Sequence, residues 1–120
     1  MLSVAISVQR SQASSNQAAM NELPSHLCAA LLPFQKEGVA FAIDHGGRVL
    51  IGDEMGLGKT LQAIATCCAF QKDWPVLIVV PKSVCLVWAE EISKWIPALG
   101  SVNIIRSGKD LSSRFKLWFR

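Results

Sequence analysis

The stretch Arg48-Val49-Leu50-Ile51-Gly52-Asp53-Glu54-Met55-Gly56-Leu57-Gly58-Lys59-Thr60 decides how the rest of the chain is read. Arg48 to Gly52 is a short apolar run that predicts a strand. Glycines follow at 56 and 58, and from Lys59 to about Phe70 apolar residues recur at Leu61, Ile64, Ala65 and Cys68. Those three- and four-residue spacings are the signature of one helix face. A strand running into glycines, then Gly-Lys-Thr, then a helix is the setting that makes this tripeptide a phosphate-binding loop. Gly56 and Gly58 allow a tight turn that brings backbone N–H groups against phosphate oxygens. The helix opening near Lys59 adds the positive end of its dipole. The Lys59 ammonium is suited to offset charge on β- and γ-phosphates, and the Thr60 hydroxyl to ligate Mg2+.

One position departs from the general pattern G-x-x-x-x-G-K-T. Asp53 occupies the place of its first glycine, and Gly52 comes one residue too early. Only the Gly-x-Gly-Lys-Thr half therefore carries the signal, together with its strand and helix. Asp53 and Glu54 are expected to face away from phosphate or to meet the metal through water, because carboxylates repel phosphate oxygens.

Working outward, Pro33 suits a first helical turn, and Phe34 to Asp44 then predicts a helix ending near Gly46-Gly47. Val76 to Val80 is a continuous apolar, β-branched run between Pro75 and Pro81, which suits a buried parallel strand. Ser83 is placed to cap a helix whose apolar positions include Val84, Trp88, Ile92 and Trp95. Val102 to Ile105 predicts a third strand, and Leu111 to Phe119 a weak final helix. Strands alternating with helices imply right-handed crossovers and a parallel sheet with flanking helices, an α/β fold. Residues 1–22 differ from this: Met1 to Asn21 holds a single charged residue, Arg10, among many Ser, Gln, Ala and Asn. They predict a disordered tail ahead of a globular segment, residues 23–120.

Composition sets the outer limits. The chain has 120 residues, 51% hydrophobic and 18% charged, enough apolar material for one core and too much for a wholly disordered protein. Its purest apolar run, Val76 to Val80, is far short of the ~20 residues that cross a bilayer. Cys28, Cys67, Cys68 and Cys85 show no CxxC spacing, and Cys67 and Cys68 fall in a helical pattern as small buried residues. Residues 1–100 carry seven basic and eight acidic side chains, whereas residues 101–120 carry five and one. The net charge of +3 thus comes from the last twenty residues, read first as a solvated terminus and second as a nucleic-acid-facing patch.

Three blocks resemble the SWI/SNF-related ATPases of helicase superfamily two. Leu32-Pro33-Phe34-Gln35-Lys36-Glu37-Gly38-Val39 is similar to that family's Q motif, and Asp53 to Thr60 to its motif I, where an acid in the first position is usual. Leu77 to Ser83, followed by Trp88 and Trp95, is similar to motif Ia. Gly46-Gly47-Arg48, Trp74-Pro75 and Lys94-Trp95-Ile96-Pro97 bring the chain nearest the annealing-helicase branch, the HARP-like and zinc-finger-bearing fork-remodelling proteins.

The resemblance implies part of a RecA-like P-loop lobe that binds ATP and Mg2+. Met55, Gly56, Leu57, Gly58, Lys59 and Thr60 would hold the phosphates, with Thr60 on the metal. Gln35 would contact adenine, since a carboxamide can donate and accept at one base edge. Lys82 and Ser83 would meet DNA phosphates, the alternative for Ser83 being plain helix capping. Trp88 and Trp95, seven residues apart on one face, read as core anchors before base-stacking platforms.

The implied setting is the nucleus. The implied partners are forked or junction DNA and single-strand DNA-binding proteins, with no membrane. The family's Asp-Glu-x-His motif II and second-lobe arginines do not occur in these 120 residues. The sequence-based expectation is therefore an ATP-binding fragment of a DNA-dependent ATPase acting in fork remodelling and repair. The alternative is a truncated, non-catalytic nucleotide-binding isoform, and a small P-loop kinase is a more distant one.

Overall fold

Proline and glycine punctuation sets the helices. The computed structural model describes residues 4–6, 16–52, 56, 58–108 and 110. Its elements are strand β1 (Val4–Ile6), helices α1 (Asn16–Asn21), α2 (Ser25–Ala30) and α3 (Pro33–Asp44), strand β2 (Val49–Ile51), and helices α4 (Lys59–Ala69) and α5 (Cys85–Trp95). The chain divides into two compact units, Met1–Ile78 and Val79–Arg120.

In the first unit, Pro33 stands at the opening of α3, where its missing N–H leaves no gap in the ladder. The same helix ends at the expected glycines. Gly46 and Gly47 have φ of 63° and 77°. The N–H of Gly47 donates to Ala42 O at 2.8 Å and that of Gly46 to Ile43 O at 3.0 Å, the paired bonds of a left-handed helix stop. Helix α4 packs against α3, and the core between and around them holds Leu27, Val39, Ala42, Ile43, Ala63, Ile64, Ala65 and Cys68. The anticipated face of α4 is present, with Ile64, Ala65 and Cys68 buried and Leu61 half-buried. The helix is enclosed more fully than that face alone requires, since Gln62, Ala63, Thr66 and Ala69 are buried too. Buried Thr66 is satisfied locally, its hydroxyl donating to Gln62 O at 2.8 Å.

Farther along this unit, Trp74 Nε1 donates to Cys67 O at 2.8 Å, fastening the segment after α4 back onto the helix. Lys72 and Glu22 pair at 2.6 Å, joining the turn at Gln71–Asp73 to the link between α1 and α2. The contact with Glu22 holds the Lys72 ammonium above its ordinary value, by hydrogen bond first and by charge second. Burial pushes the Cys67 thiol up to about 11. It pushes Cys68 up to about 12, with Cys67 adding to the effect. Cys28, Cys67, Cys68 and Cys85 are all free thiols.

The sheet differs from the expectation. β1 and β2 pair antiparallel, with Val4 opposite Ile51, Ala5 opposite Leu50 and Ile6 opposite Val49. The described residues are otherwise mostly helical, and the parallel sheet expected from Arg48 to Gly52, Val76 to Val80 and Val102 to Ile105 is not formed among them. Only the first of those runs holds a strand. Val76 to Val80 forms no strand, with Leu77 73% and Val79 86% exposed. A β-branched run supplies a surface suited to a sheet, but a strand exists only where a neighbour takes its N–H and C=O groups. β1 and α1 lie within the 1–22 segment that composition marks as disordered; residues 7–15 of that segment lie outside the described residues.

In the second unit, α5 buries Trp88 and Ile92 and is followed by buried Ile96, a four-residue spacing down one face. Trp95 is half-buried, and its indole N–H donates to Glu91 Oε2 at 3.0 Å while the Lys94 ammonium lies 4.9 Å above its ring. The expected cap at Ser83 is not present. Lys82–Val84 forms a 3-10 turn, Val84 is the residue at the cap of α5, and no side chain caps the helix. The tight turn moves the cap of the helix one residue on, from Ser83 to Val84. Leu111 to Phe119, expected as a final helix, lies outside the described residues.

Candidate functional site

The candidate site lies where the N-termini of α3 and α4 meet. Helix α4 opens on Gly58, whose φ of 76° and ψ of 38° place it in the left-handed region. Gly56 also has a positive φ, 83°. A left-handed residue turns the chain sharply into the first helical turn, and only glycine enters that region freely. The first intrahelical bond runs from Gln62 N–H to Gly58 O at 3.2 Å, and no side chain caps this helix start among the described residues. The N–H groups of the first turn, Lys59, Thr60 and Leu61, have no carbonyl within the helix to bond. An uncapped N-terminus preceded by glycines is the backbone form of an anion cradle.

Lys59 is the first residue of that helix and is 8% exposed. A lysine is held out of water in this way only where polar or anionic company offsets the lost hydration. Thr60, half-buried, is next in the turn. Met55 and Leu57, the other two loop positions expected to bind phosphate, lie outside the described residues, as do Asp53 and Glu54.

Gln35 reaches this helix start from α3. It is 4% exposed, and its Oε1 accepts the backbone N–H of Leu32 at 2.9 Å. That bond is the half of a capping box that a glutamine at the third helical position can supply, since Leu32 has no polar side chain to return the other half. The rest of the carboxamide lies against Gly58: a Cβ on Gly58 would clash with Gln35 Nε2. Packing of α3 on α4 thus brings together Gln35, Gly58, Lys59 and Thr60, which the sequence separates by more than twenty positions.

Lys82 and Ser83 belong to the second unit and are both exposed on its 3-10 turn. Trp88 is a buried core residue there, in keeping with its reading as an anchor. Sequence reasoning passed over Gln62, which is 2% exposed on α4. The available signal was its four-residue spacing to Thr66 in the part of α4 that is otherwise apolar, Leu61 to Ala69, a polar pair on one face. Among the described residues no group of three or more His, Cys, Asp and Glu side chains is arranged to hold a metal, and no helix is long and apolar enough to cross a membrane.

The SNF2-related domain matches residues 34–117. The chain is 50% identical over 91 residues to the human DNA annealing helicase and endonuclease ZRANB3, covering 74% of this chain and 8% of that protein. It is 47% identical over 96 residues to the Xenopus laevis SWI/SNF-related matrix-associated actin-dependent regulator of chromatin subfamily A-like protein 1, covering 78% of this chain and 10% of that one. The Caenorhabditis elegans homolog of the latter is 42% identical over 84 residues, covering 70% of this chain and 12% of its own length. The chain therefore spans about a tenth of the length of these relatives. No solved structure matches it. With the domain match covering the α3 helix, the glycine turn, α4 and α5, the chain belongs to the SNF2-related family.

Proposed function

We propose that this chain is the ATP-binding segment of a DNA-dependent ATPase that anneals or remodels forked DNA in the nucleus during repair. One observation carries the reading: the carboxamide of Gln35 lies against Gly58 at the start of the helix that carries Lys59 and Thr60. A base-reading group and a phosphate cradle are thereby within one nucleotide's reach. Membership in an ATPase family supports the same substrate, and relatives whose names include a DNA annealing helicase support DNA as partner.

In this reading Met55, Gly56, Leu57 and Gly58 present backbone N–H groups to the phosphates. Lys59 offsets charge on the β- and γ-phosphates, and Thr60 holds Mg2+ through its hydroxyl. The metal supplies further charge neutralisation on the phosphate oxygens. A carboxamide can accept from and donate to one base edge, which suits Gln35 to adenine. β2, the glycine turn and α4 then correspond to the strand–loop–helix unit of a RecA-like lobe. Exposed Lys82 and Ser83 supply contacts to a DNA backbone, which position a strand without reading its sequence. Partnership with single-strand DNA-binding proteins belongs to the same proposal.

The test is equilibrium titration of the purified chain with Mg-ATP. Lys59→Ala removes one charge-assisted contact, a loss of about 1.5–3 kcal/mol or roughly 10- to 150-fold in affinity. Equal affinity of the wild-type and Lys59→Ala chains for ATP would show that the cradle is not where the nucleotide binds.

A further inference from the structure

Two pairs of residues form successive rungs between α3 and α4. At the first, Gln35 meets Gly58. At the second, one turn farther along both helices, Gln62 meets Gly38: a Cβ built on Gly38 would lie 3.2 Å from Gln62 Nε2. Gln35 and Gly38 are three apart on α3, and Gly58 and Gln62 four apart on α4, so each pair lies on one face of its helix. The two rungs cross over in kind. A glutamine of α3 lies on a glycine of α4, and a glutamine of α4 fills the notch at a glycine of α3. This arrangement defines the register of one helix along the other, because sliding by a turn would oppose the two glutamines.

Gln62 is also a side chain that stability alone does not explain. It is 2% exposed, and among the described residues its Oε1 has no hydrogen-bond partner. A buried carbonyl oxygen without a donor is destabilising relative to an apolar side chain of the same length. Methionine, of similar length, would remove that cost and would leave no amide at Gly38.

We infer that Gln62 is a positioning residue for base recognition: its amide, seated at Gly38, holds α3 in the register that sets Gln35 over the start of α4. Lys59 and Thr60 precede Gln62 on the same helix, so Gln62 ties the base-reading group to the phosphate cradle. The inference rests on the reading of Gln35 as the residue that contacts adenine.

The experiment compares the affinities of the wild-type chain, Gln35→Ala and Gln62→Met for ATP, GTP and inorganic tripolyphosphate, with a thermal melt of each. Gln62→Met is expected to melt at or above the wild-type temperature and to bind tripolyphosphate within about twofold of wild type. Its preference for ATP over GTP should fall by about three- to tenfold, toward the value of Gln35→Ala. Should Gln62→Met not fold, Gly38→Ala carries the same test. It fills the notch with one carbon while improving helix propensity, so a lost base preference cannot come from a weaker helix.

A Gln62→Met or Gly38→Ala chain that keeps the full ATP preference overturns the inference. So does one that loses tripolyphosphate and ATP in equal proportion, since that is general loosening. The two readings fail separately. A wild-type chain that does not prefer ATP, or a Gln35→Ala chain that keeps the preference, removes the base-reading role and the positioning inference with it. An intact Gln35 effect with an inert Gln62 removes only the latter.

Discussion

Replacing Gly58 by alanine perturbs the site at the point where two constraints coincide. The residue sits at φ of 76°, where a Cβ crowds the following carbonyl, a cost of about 1–2 kcal/mol. The new Cβ would also come well inside van der Waals contact of Gln35 Nε2. Gln35 must then swing away, and its bond from Leu32 N–H, 2.9 Å long, is lost with it. That bond caps the start of α3 and contributes about 1 kcal/mol. The total is about 2–3 kcal/mol, a large share of the stability of any small domain.

Because the second part of this loss acts through Gln35, it should vanish in a background that has no glutamine there. Gln35→Ala alone loses the cap. Gly58→Ala and Gln35→Ala together should therefore cost about 1 kcal/mol less than the sum of the two single changes. Urea denaturation followed by circular dichroism at 222 nm measures all four corners of the cycle, with the unfolding slope checked for constancy. Additivity within about 0.3–0.5 kcal/mol would refute the reasoning, since it would mean that Gln35 and Gly58 do not touch.

Two further outcomes follow from the packing. The folded-state values of Cys67 and Cys68 lie above the ordinary 9.0, at about 11 and about 12, because burial disfavours the thiolate. Between pH 9 and pH 11 the unfolded chain releases these protons and the folded chain keeps them, so stability should be fully present below pH 9 and fall through that window. Denaturation midpoints at pH 8 and pH 10.5, compared with those of Cys67→Ala/Cys68→Ala, check the sign; an unchanged midpoint in the parent chain contradicts it. In the second unit, Trp88→Ala removes a buried anchor of α5 at a cost of about 3–5 kcal/mol, whereas exposed Leu86→Ala on the same helix should change stability by less than about 0.5 kcal/mol. Amide exchange along residues 85–95 separates the two, and equal protection in both variants would argue against Trp88 as the anchor.

The helices were legible because their instructions are local. Pro33 at the opening of α3, the glycines at 46 and 47 beyond its end, and the glycine turn before Lys59 each act on hydrogen bonds between residues a few positions apart. The apolar spacing of Ile64, Ala65 and Cys68 and that of Trp88 and Ile92 likewise indicated which faces turn inward, and both are buried. The phosphate-loop half Gly-x-Gly-Lys-Thr was read from the same kind of short-range pattern.

Pairing between distant segments was not written in any such window. Val76 to Val80 has the composition of a strand and no ladder, while β1, drawn from a Ser- and Gln-rich segment, pairs with β2. Whether a strand forms depends on which edge meets it, and that is settled by the whole chain. The same holds at the site. Gln35, Lys59 and Thr60 were identifiable one by one, but only tertiary packing put the Gln35 carboxamide on Gly58 and the Gln62 amide at Gly38. The sequence by itself determined helices α3, α4 and α5 and the candidate phosphate-binding residues, because those depend on neighbours in the chain. The tertiary structure decided the sheet partner and the contact between the Gln35 helix and the glycine turn, because those depend on neighbours in space.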